Sequence, residues 1–583
     1  MIKAVKLTAA VVALALPLQL AAPGVSDAAA ARVRIPEAMA RSGPGASAGL
    51  TSAEILQPSP DSWPTYSGDY SGRRYSPLKQ INKDNVKQLT LAWTSDPMTT
   101  GPGPDAIIGG DPRGQTVAPG SGPVRGSPLV VDGVIYASGA NNVWALDART
   151  GKMKWRYHWK HRGGTTIGNR GVGIWGDYLF VETPDNYLVS LDRHTGRERW
   201  HTEIEPFELQ FFSTVAPVVV GDHVLIGTGS DHEHPGRLQS FDPVTGARQW
   251  VLWTVPLNEG DPGWETWKSI DAARHGGAQP WVPGSYDPET NLYIFGTSGP
   301  NPEYFAAPRN GPGGADTALF TASMIAVDVE TGKMKWYYQS SPGETHDFDA
   351  AQTPVLTDIM FNGQMRKVAV SAHRNGYFFV IDRVTGEHLL TSNYNSNNNW
   401  AVGLNERGQP IRDPAKESIP SGSLISPPNG GSANWPPPAY NPDTGLFYVP
   451  TSEDFGMYYM TEGDPRGSQG LGGKLEITIP GGGAYMKAID PKTGKIAWSI
   501  SYPTANPNGY VNWGRPPGLL TTAGGLLFGA APDSGMVARD AATGKPLWNA
   551  RMLPSNAPQT YMLDGKQYLL FGSGPNLHAY RLP

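Results

Sequence analysis

The chain has 583 residues, with 71 glycines, 54 prolines and no cysteine. Such proportions suit many short strands joined by turns, and they exclude disulfides, thiolate metal sites, cysteine-linked haem and a lipid-modified N-terminal cysteine. A formal net charge of −5 leaves no basic footprint for nucleic acid.

Residues 1–30 read as a cleavable secretory signal, with Lys3 and Lys6 at its start, an apolar run from Leu7 to Leu20, and small residues Ala28 to Ala30 at its end. Pro17 and Gln19 interrupt the run, which is short for a membrane span, and no later stretch is apolar enough to cross a bilayer. The mature chain is expected to be exported and soluble, with residues 31–60 as a leader. The segment from Trp63 to Trp93 then opens the fold, and Leu89 to Trp93 has the pattern of the last strand of a repeat whose turn is missing.

That repeat is a frame ending in Asp-x-x-Thr-Gly-x-x-x-Trp. It occurs at Asp147–Trp155, Asp192–Trp200, Asp242–Trp250, Asp328–Trp336, Asp490–Trp498 and Asp540–Trp548, and once more from Asp382 with Leu390 in place of Trp. Each copy reads as a hairpin corner: a strand ends at Asp, whose carboxylate can bond the turn, Gly supplies positive φ, and a second strand carries the Trp that glues repeats together. Seven copies plus a composite of the two chain ends (Leu89–Trp93 with Asn576–Pro583) predict an all-β, eight-bladed β-propeller over 61–583. In it the N- and C-terminal strands close the ring. The longer gaps after Asp242 and Asp382 hold secondary elements at Tyr286–Phe295 and Tyr440–Val449, read as inner hairpins. The Gly/Pro/Ser-rich stretches 400–433 and 461–483 are expected to be loops over one face, where function usually sits.

The repeated frame, the Trp63–Trp93 opening and the eight-unit count resemble the PQQ-dependent alcohol dehydrogenases, or quinoproteins, over essentially all of 60–583. The resemblance implies a tricyclic quinone with three carboxylates, chelated to Ca2+ or a lanthanide ion. In Ser341-Pro-Gly-Glu344-Thr-His346-Asp347-Phe-Asp349 it makes Asp347 a metal ligand and the base for the alcohol proton. Asp349 is similar to the extra carboxylate of lanthanide-using members; residues i and i+2 of a strand share a face, so both could reach one ion. Trp281 corresponds to the floor on which the quinone stacks. Arg374 matches the basic residue beside the quinone oxygens, Arg170 and Thr214 the groups holding cofactor carboxylates, and Trp513-Gly514 a cofactor-edge contact. Asn434-Trp435 also stands at a family-like position.

Four departures stand out. The loop carrying the family's Glu ligand here reads Asp231-His-Glu233, so Asp231 or Glu233 would bind the metal. Either Gly299 replaces the family's metal Asn, or a two-residue insertion delivers Asn301 from a displaced loop, and Asn301 is the expected ligand. Gly164-Thr165 stand where most members have a vicinal disulfide over the quinone, which opens that face to bulkier substrates. Arg125 replaces a Glu near the cofactor acids.

The resemblance therefore implies a periplasmic dehydrogenase taking an alcohol, bulky or secondary, to an aldehyde or ketone. The metal would act as Lewis acid and Arg374 would steady the reduced quinone. With no cysteine for a haem domain, electrons would pass to an external acceptor such as a cytochrome c; a homodimer is compatible with this. The alternative is a non-catalytic propeller scaffold of the cell envelope, which would keep the Asp-Thr-Gly-Trp frame without needing Asp347, Asp349, Arg170, Arg374 and Trp281 together.

Overall fold

A computed structural model describes residues 49–583 apart from 119, 121, 165–167, 232–233, 305, 308, 310–316, 461–473, 503–516 and 532. The expected signal peptide and most of the leader lie outside the described residues. Among these residues α-helix is confined to Ser52–Leu56, capped at Thr51, and Ile270–Arg274, capped at Ser269. The rest is strand, turn and loop.

Among the described residues, eight antiparallel sheets of four strands make up the body, and two of them carry a fifth strand in parallel. One runs Leu129–Val131, Val134–Gly139, Asn142–Asp147 and Met153–Lys160. Another combines Gln559–Leu563, Lys566–Ser573 and Asn576–Arg581 from the C-terminal end with Thr90–Thr94 from the N-terminal side, joined in antiparallel register from Thr90 opposite Arg581. The composite repeat expected from the sequence is therefore one sheet. The inner hairpins are likewise as expected: Ser285–Asp287 pairs with Leu292–Gly296, and Ala439–Asn441 with Leu446–Ser452, as the first two strands of their sheets.

Each Asp-Thr-Gly corner closes on itself. Asp147 Oδ1 accepts from the Arg149 and Thr150 N–H groups, both at 2.9 Å, and from the Thr150 hydroxyl at 3.0 Å, while Gly151 sits at φ 71°. Left-handed backbone of this kind favours glycine.

The corner also receives the preceding sheet. A methyl on Gly151 would lie 2.5 Å from Trp93 Cε3, and one on Gly196 2.5 Å from Trp155 Cε3; at Gly246, Gly332 and Gly386 it would lie 2.6, 2.5 and 2.8 Å from Trp200, Trp250 and Trp336. Every one of these indoles also donates its N–H to the carbonyl of the residue just after the corner Asp: Trp93 to Ala148, Trp155 to Arg193, Trp200 to Pro243, Trp250 to Val329 and Trp336 to Arg383, at 2.9–3.3 Å. Trp498 does the same to Ala541 at 3.2 Å. A ring that buries its face and satisfies its N–H at once ties one sheet to the next. Where Leu390 replaces Trp, Leu390 and Ser392 fill the space against Gly494.

The expectation that 400–433 and 461–483 are loops needs correction for the described residues. Ala401–Leu404 and Pro410–Arg412 form a hairpin, and Ser423–Ile425, Phe455–Met460 and Lys474–Ile479 form a three-stranded sheet outside the eight. Its central strand contains a Met-Tyr-Tyr-Met run whose pairing is non-local, so the composition of the surrounding stretch conceals it.

Candidate functional site

In successive sheets the segment leading into the first strand delivers a side chain to one chamber. Arg125 precedes Leu129–Val131, Arg170 precedes Gly173–Trp175, Thr214 precedes Val218–Val220, and Trp281 precedes Ser285–Asp287. Asp347 and Asp349 precede Val355–Phe361, and Asn434 and Trp435 precede Ala439–Asn441. Arg374 comes from the turn between Gln364–Ala372 and Tyr377–Asp382. All of them line a cavity of about 290 Å³, together with Asp231.

The side chains form a continuous chain of contacts. Arg170 donates from Nη1 to the Thr214 carbonyl at 2.8 Å and to the Thr214 hydroxyl. That hydroxyl donates to the Trp281 carbonyl at 3.1 Å, and Trp281 Nε1 donates to Asp349 Oδ2 at 2.9 Å. The other oxygen of Asp349 accepts the Gly299 N–H at 2.7 Å. Arg374 Nη1 then holds Asp347 Oδ1 at 2.6 Å and the Asp347 carbonyl at 2.7 Å, and lies 3.3 Å from Asp349 Oδ2. Asp347 adopts φ 64°, an unusual conformation for a non-glycine residue and one that clusters at functional sites.

Two guanidiniums flank the floor. Arg170 lies 4.6 Å from the centre of the Trp281 ring and 5.3 Å from that of Trp435, and Arg374 lies 5.5 Å from the Trp281 ring. Arg170 is 8% exposed and its Nε has no partner among the described residues, which leaves a buried N–H able to serve a ligand in the chamber. Burial lowers its pKa to about 10. Burial also works against the charge on Arg374, but Asp347 and Asp349 outweigh it and hold that guanidinium firmly protonated. Desolvation raises Asp349 while Arg374 opposes the shift, and burial pushes Glu344, which accepts the His346 N–H, up to about 7.

This donor set fits a planar, multiply acidic cofactor with a hard cation. Guanidiniums and a hydroxyl suit carboxylates, an indole face suits a flat ring, and two adjacent carboxylates suit an oxygen-seeking ion.

Not every expected residue joins the chamber. Asn301 is buried, donates its N–H to Gly276 O at 3.0 Å and is outside the lining. Trp513, Gly514, Glu233 and Thr165 lie outside the described residues. The lining adds Glu303, Tyr304 and Asn429, which the sequence reading missed. Only the Asn-Gly-Gly run at 429–431 gave any sign of them, as a turn of unusual backbone freedom.

Comparison with known proteins finds relatives over most of the chain. The profile of the PQQ glucose/ethanol/alcohol dehydrogenase β-propeller domain matches residues 63–396 and 480–569. The chain is 33% identical over 570 residues to the quinoprotein alcohol dehydrogenase PedH of Pseudomonas putida, covering 91% of this chain and 89% of that protein. It is 30% identical over 571 residues to a quinoprotein ethanol dehydrogenase of Pseudomonas aeruginosa, covering 89% and 85%. Among solved structures it superposes on the quinohemoprotein alcohol dehydrogenase ADHIIG of Pseudomonas putida HK5 with a TM-score of 0.78 at 29% identity, covering 92% and 83%. A europium-containing methanol dehydrogenase gives 0.76 at 26% identity, covering 90% and 99%.

Proposed function

The chain belongs to the family of PQQ-dependent quinoprotein alcohol dehydrogenases, and from that premise we propose that it is a periplasmic enzyme oxidising a bulky or secondary alcohol to an aldehyde or ketone, on an eight-bladed ring closed by its terminal strands. PQQ with Ca2+ or a lanthanide ion is its cofactor set. The observation that carries the reading is the linked chain from Arg170 through Thr214, Trp281 and Asp349 to Arg374 and Asp347 around one chamber.

When bound, the quinone supplies a two-electron acceptor and the metal polarises it. Arg170, Thr214 and Arg125 would hold its acid groups, Trp281 would floor it, and Trp513-Gly514 would contact its edge. Asp347, Asp349 and Asp231 would hold the ion. Asp347 takes the hydroxyl proton of the alcohol on its carboxylate. Asp349 is less suited to that task, because donors engage both of its oxygens. Arg374 orients Asp347 and favours negative charge at the chamber's centre. The Gly164-Thr165 pair in place of a disulfide lid supports a roomier substrate side. With no cysteine in the chain, an external acceptor such as a cytochrome c would receive the electrons.

The test is dye-linked oxidation by the exported protein with PQQ and either Ca2+ or La3+, over primary and secondary alcohols. Activity needing PQQ and one ion, with secondary alcohols turned over faster than methanol, is expected. Absence of both turnover and PQQ uptake would overturn the assignment; better turnover of methanol would overturn the substrate class.

A further inference from the structure

The loop after Leu292–Gly296 changes what this chain offers to a cation. Gly299 has no side chain, and a methyl built there would lie 3.1 Å from Glu344 Oε2 and 3.8 Å from Asp349 Oδ1. A longer donor at 299 has little room unless Glu344 moves. Asn301, the alternative donor in that loop, stays buried outside the lining. Two residues later the chain returns to the chamber, where half-buried Glu303 and the buried Tyr304 both line the wall. Glu303 acts electrostatically on Arg374 alongside Asp347 and Asp349, so its carboxylate belongs to the same charged centre.

An independent feature marks the same corner. Asn429 lines the chamber, is 9% exposed, and donates from Nδ2 to the Tyr304 hydroxyl at 3.4 Å. Its Oδ1 is buried without a partner among the described residues. A buried carbonyl oxygen left unpaired is unfavourable by about 1–3 kcal/mol unless a donor or cation comes to it. The charge balance points the same way. Asp231, Glu303, Asp347 and Asp349 face Arg125, Arg170 and Arg374 across the lining, four carboxylates to three guanidiniums.

We propose that Glu303, with the Asn429 amide oxygen of the same chamber, faces the chamber's cation in place of the side chain missing at position 299. This rests on the assignment of the chamber as a quinone and metal site. Carboxylate and amide oxygens are the donors that hard cations take. Exchanging a neutral amide for a carboxylate adds one negative charge beside Asp347 and Asp349, which suits a trivalent ion better than a divalent one.

The experiment uses the full-length, PQQ-loaded protein titrated with Eu3+, whose luminescence decay in H2O and D2O counts coordinated waters. Wild type is expected to bind, and Glu303→Gln to weaken Eu3+ by roughly tenfold or more, to weaken Ca2+ less, and to add about one coordinated water. Asn301→Ala should leave both readouts unchanged. Glu303 is half-buried in a loop, so Glu303→Gln is not expected to unfold the chain. If wild type takes up PQQ and Eu3+ and Glu303→Gln behaves identically, the proposal falls and the enzyme assignment stands. If Glu303→Gln keeps Eu3+ but raises KM for amino alcohols alone, Glu303 reads a cationic substrate and the proposal is again overturned. If wild type binds neither PQQ nor Eu3+, both fall together.

Discussion

Replacing Asp347 by Asn separates the charge of this side chain from its shape. The residue sits at φ 64°, a region that Asn tolerates and that Ala enters only at about 1–2 kcal/mol. Asp347→Asn should therefore fold as wild type does, and Arg374 would keep its bond to the 347 carbonyl (2.7 Å in the native chain) and its ion pair with Asp349 (3.3 Å). What is lost is a proton acceptor, together with one negative charge facing Arg374 and the ion. A positioned general base contributes about 10²–10⁴ to the rate, which is about 2.7–5.5 kcal/mol of barrier at 1.36 kcal/mol per decade. The assay is dye-linked alcohol oxidation at saturating PQQ and metal, with bound quinone measured by absorbance so that kcat refers to loaded sites. Urea midpoints run in parallel should fall modestly for Asp347→Asn, which gives up the charge paired with Arg374, and further for Asp347→Ala, which adds backbone strain. A kcat for loaded Asp347→Asn within tenfold of wild type would refute the reasoning and move the base elsewhere.

The docking of the sheets and the buried histidines make further predictions. Gly196 and Gly565 share nearly the same φ, 71° and 73°, but a methyl at 196 would lie 2.5 Å from Trp155 whereas nothing lies within 4 Å of one at 565. Gly565→Ala should lose about 1–2 kcal/mol to backbone strain, and Gly196→Ala a further ~1–3 kcal/mol to overlap; equal urea-midpoint shifts would show that the indole contact is slack. His158 and His373 are fully buried, and desolvation lowers their pKa values to about 4 and about 3. The unfolded chain takes up their protons near pH 6.5 and the folded chain does not. Stability is thus full above that pH and falls on acidification, by roughly 1.4 kcal/mol per pH unit for each histidine. The decline continues to about pH 4 for His158 and about pH 3 for His373. Burial-raised Glu344 opposes this trend over the same range in wild type and variant alike, so the readout is the difference between them: from pH 7 to 5 the urea midpoint of His158→Asn should fall less than that of the wild type, and an equal pH dependence for the two would contradict the assignment.

The body of the fold was readable because its glue is local. Asp147 bonds residues two and three positions ahead, and Gly151 must be glycine both for its φ and for the Trp93 ring against it, so one short frame encodes turn and docking together. The copy with Leu390 looked degenerate in sequence yet does the same packing, since Leu390 and Ser392 fill the space against Gly494. The sheet of Ser423–Ile425, Phe455–Met460 and Lys474–Ile479 was unreadable for the opposite reason: its partners are remote, and a Gly/Pro-rich neighbourhood averages its strands away.

The chamber divides along the same line. Arg125, Arg170, Thr214, Trp281 and Trp435 stand three or four residues ahead of successive first strands, and Asp347 eight ahead of its own; each sits in a short local motif, which is what let the family resemblance pick them out. Glu303 and Asn429 share a chamber only because two loops 126 residues apart in sequence, by subtraction of their numbers, both reach its lining. No local pattern records such a meeting. Asn301 stands two residues from Glu303, is an equally good donor on paper, and is outside the cavity lining. In a propeller loop, residue type proposes a ligand and the path of the backbone decides it.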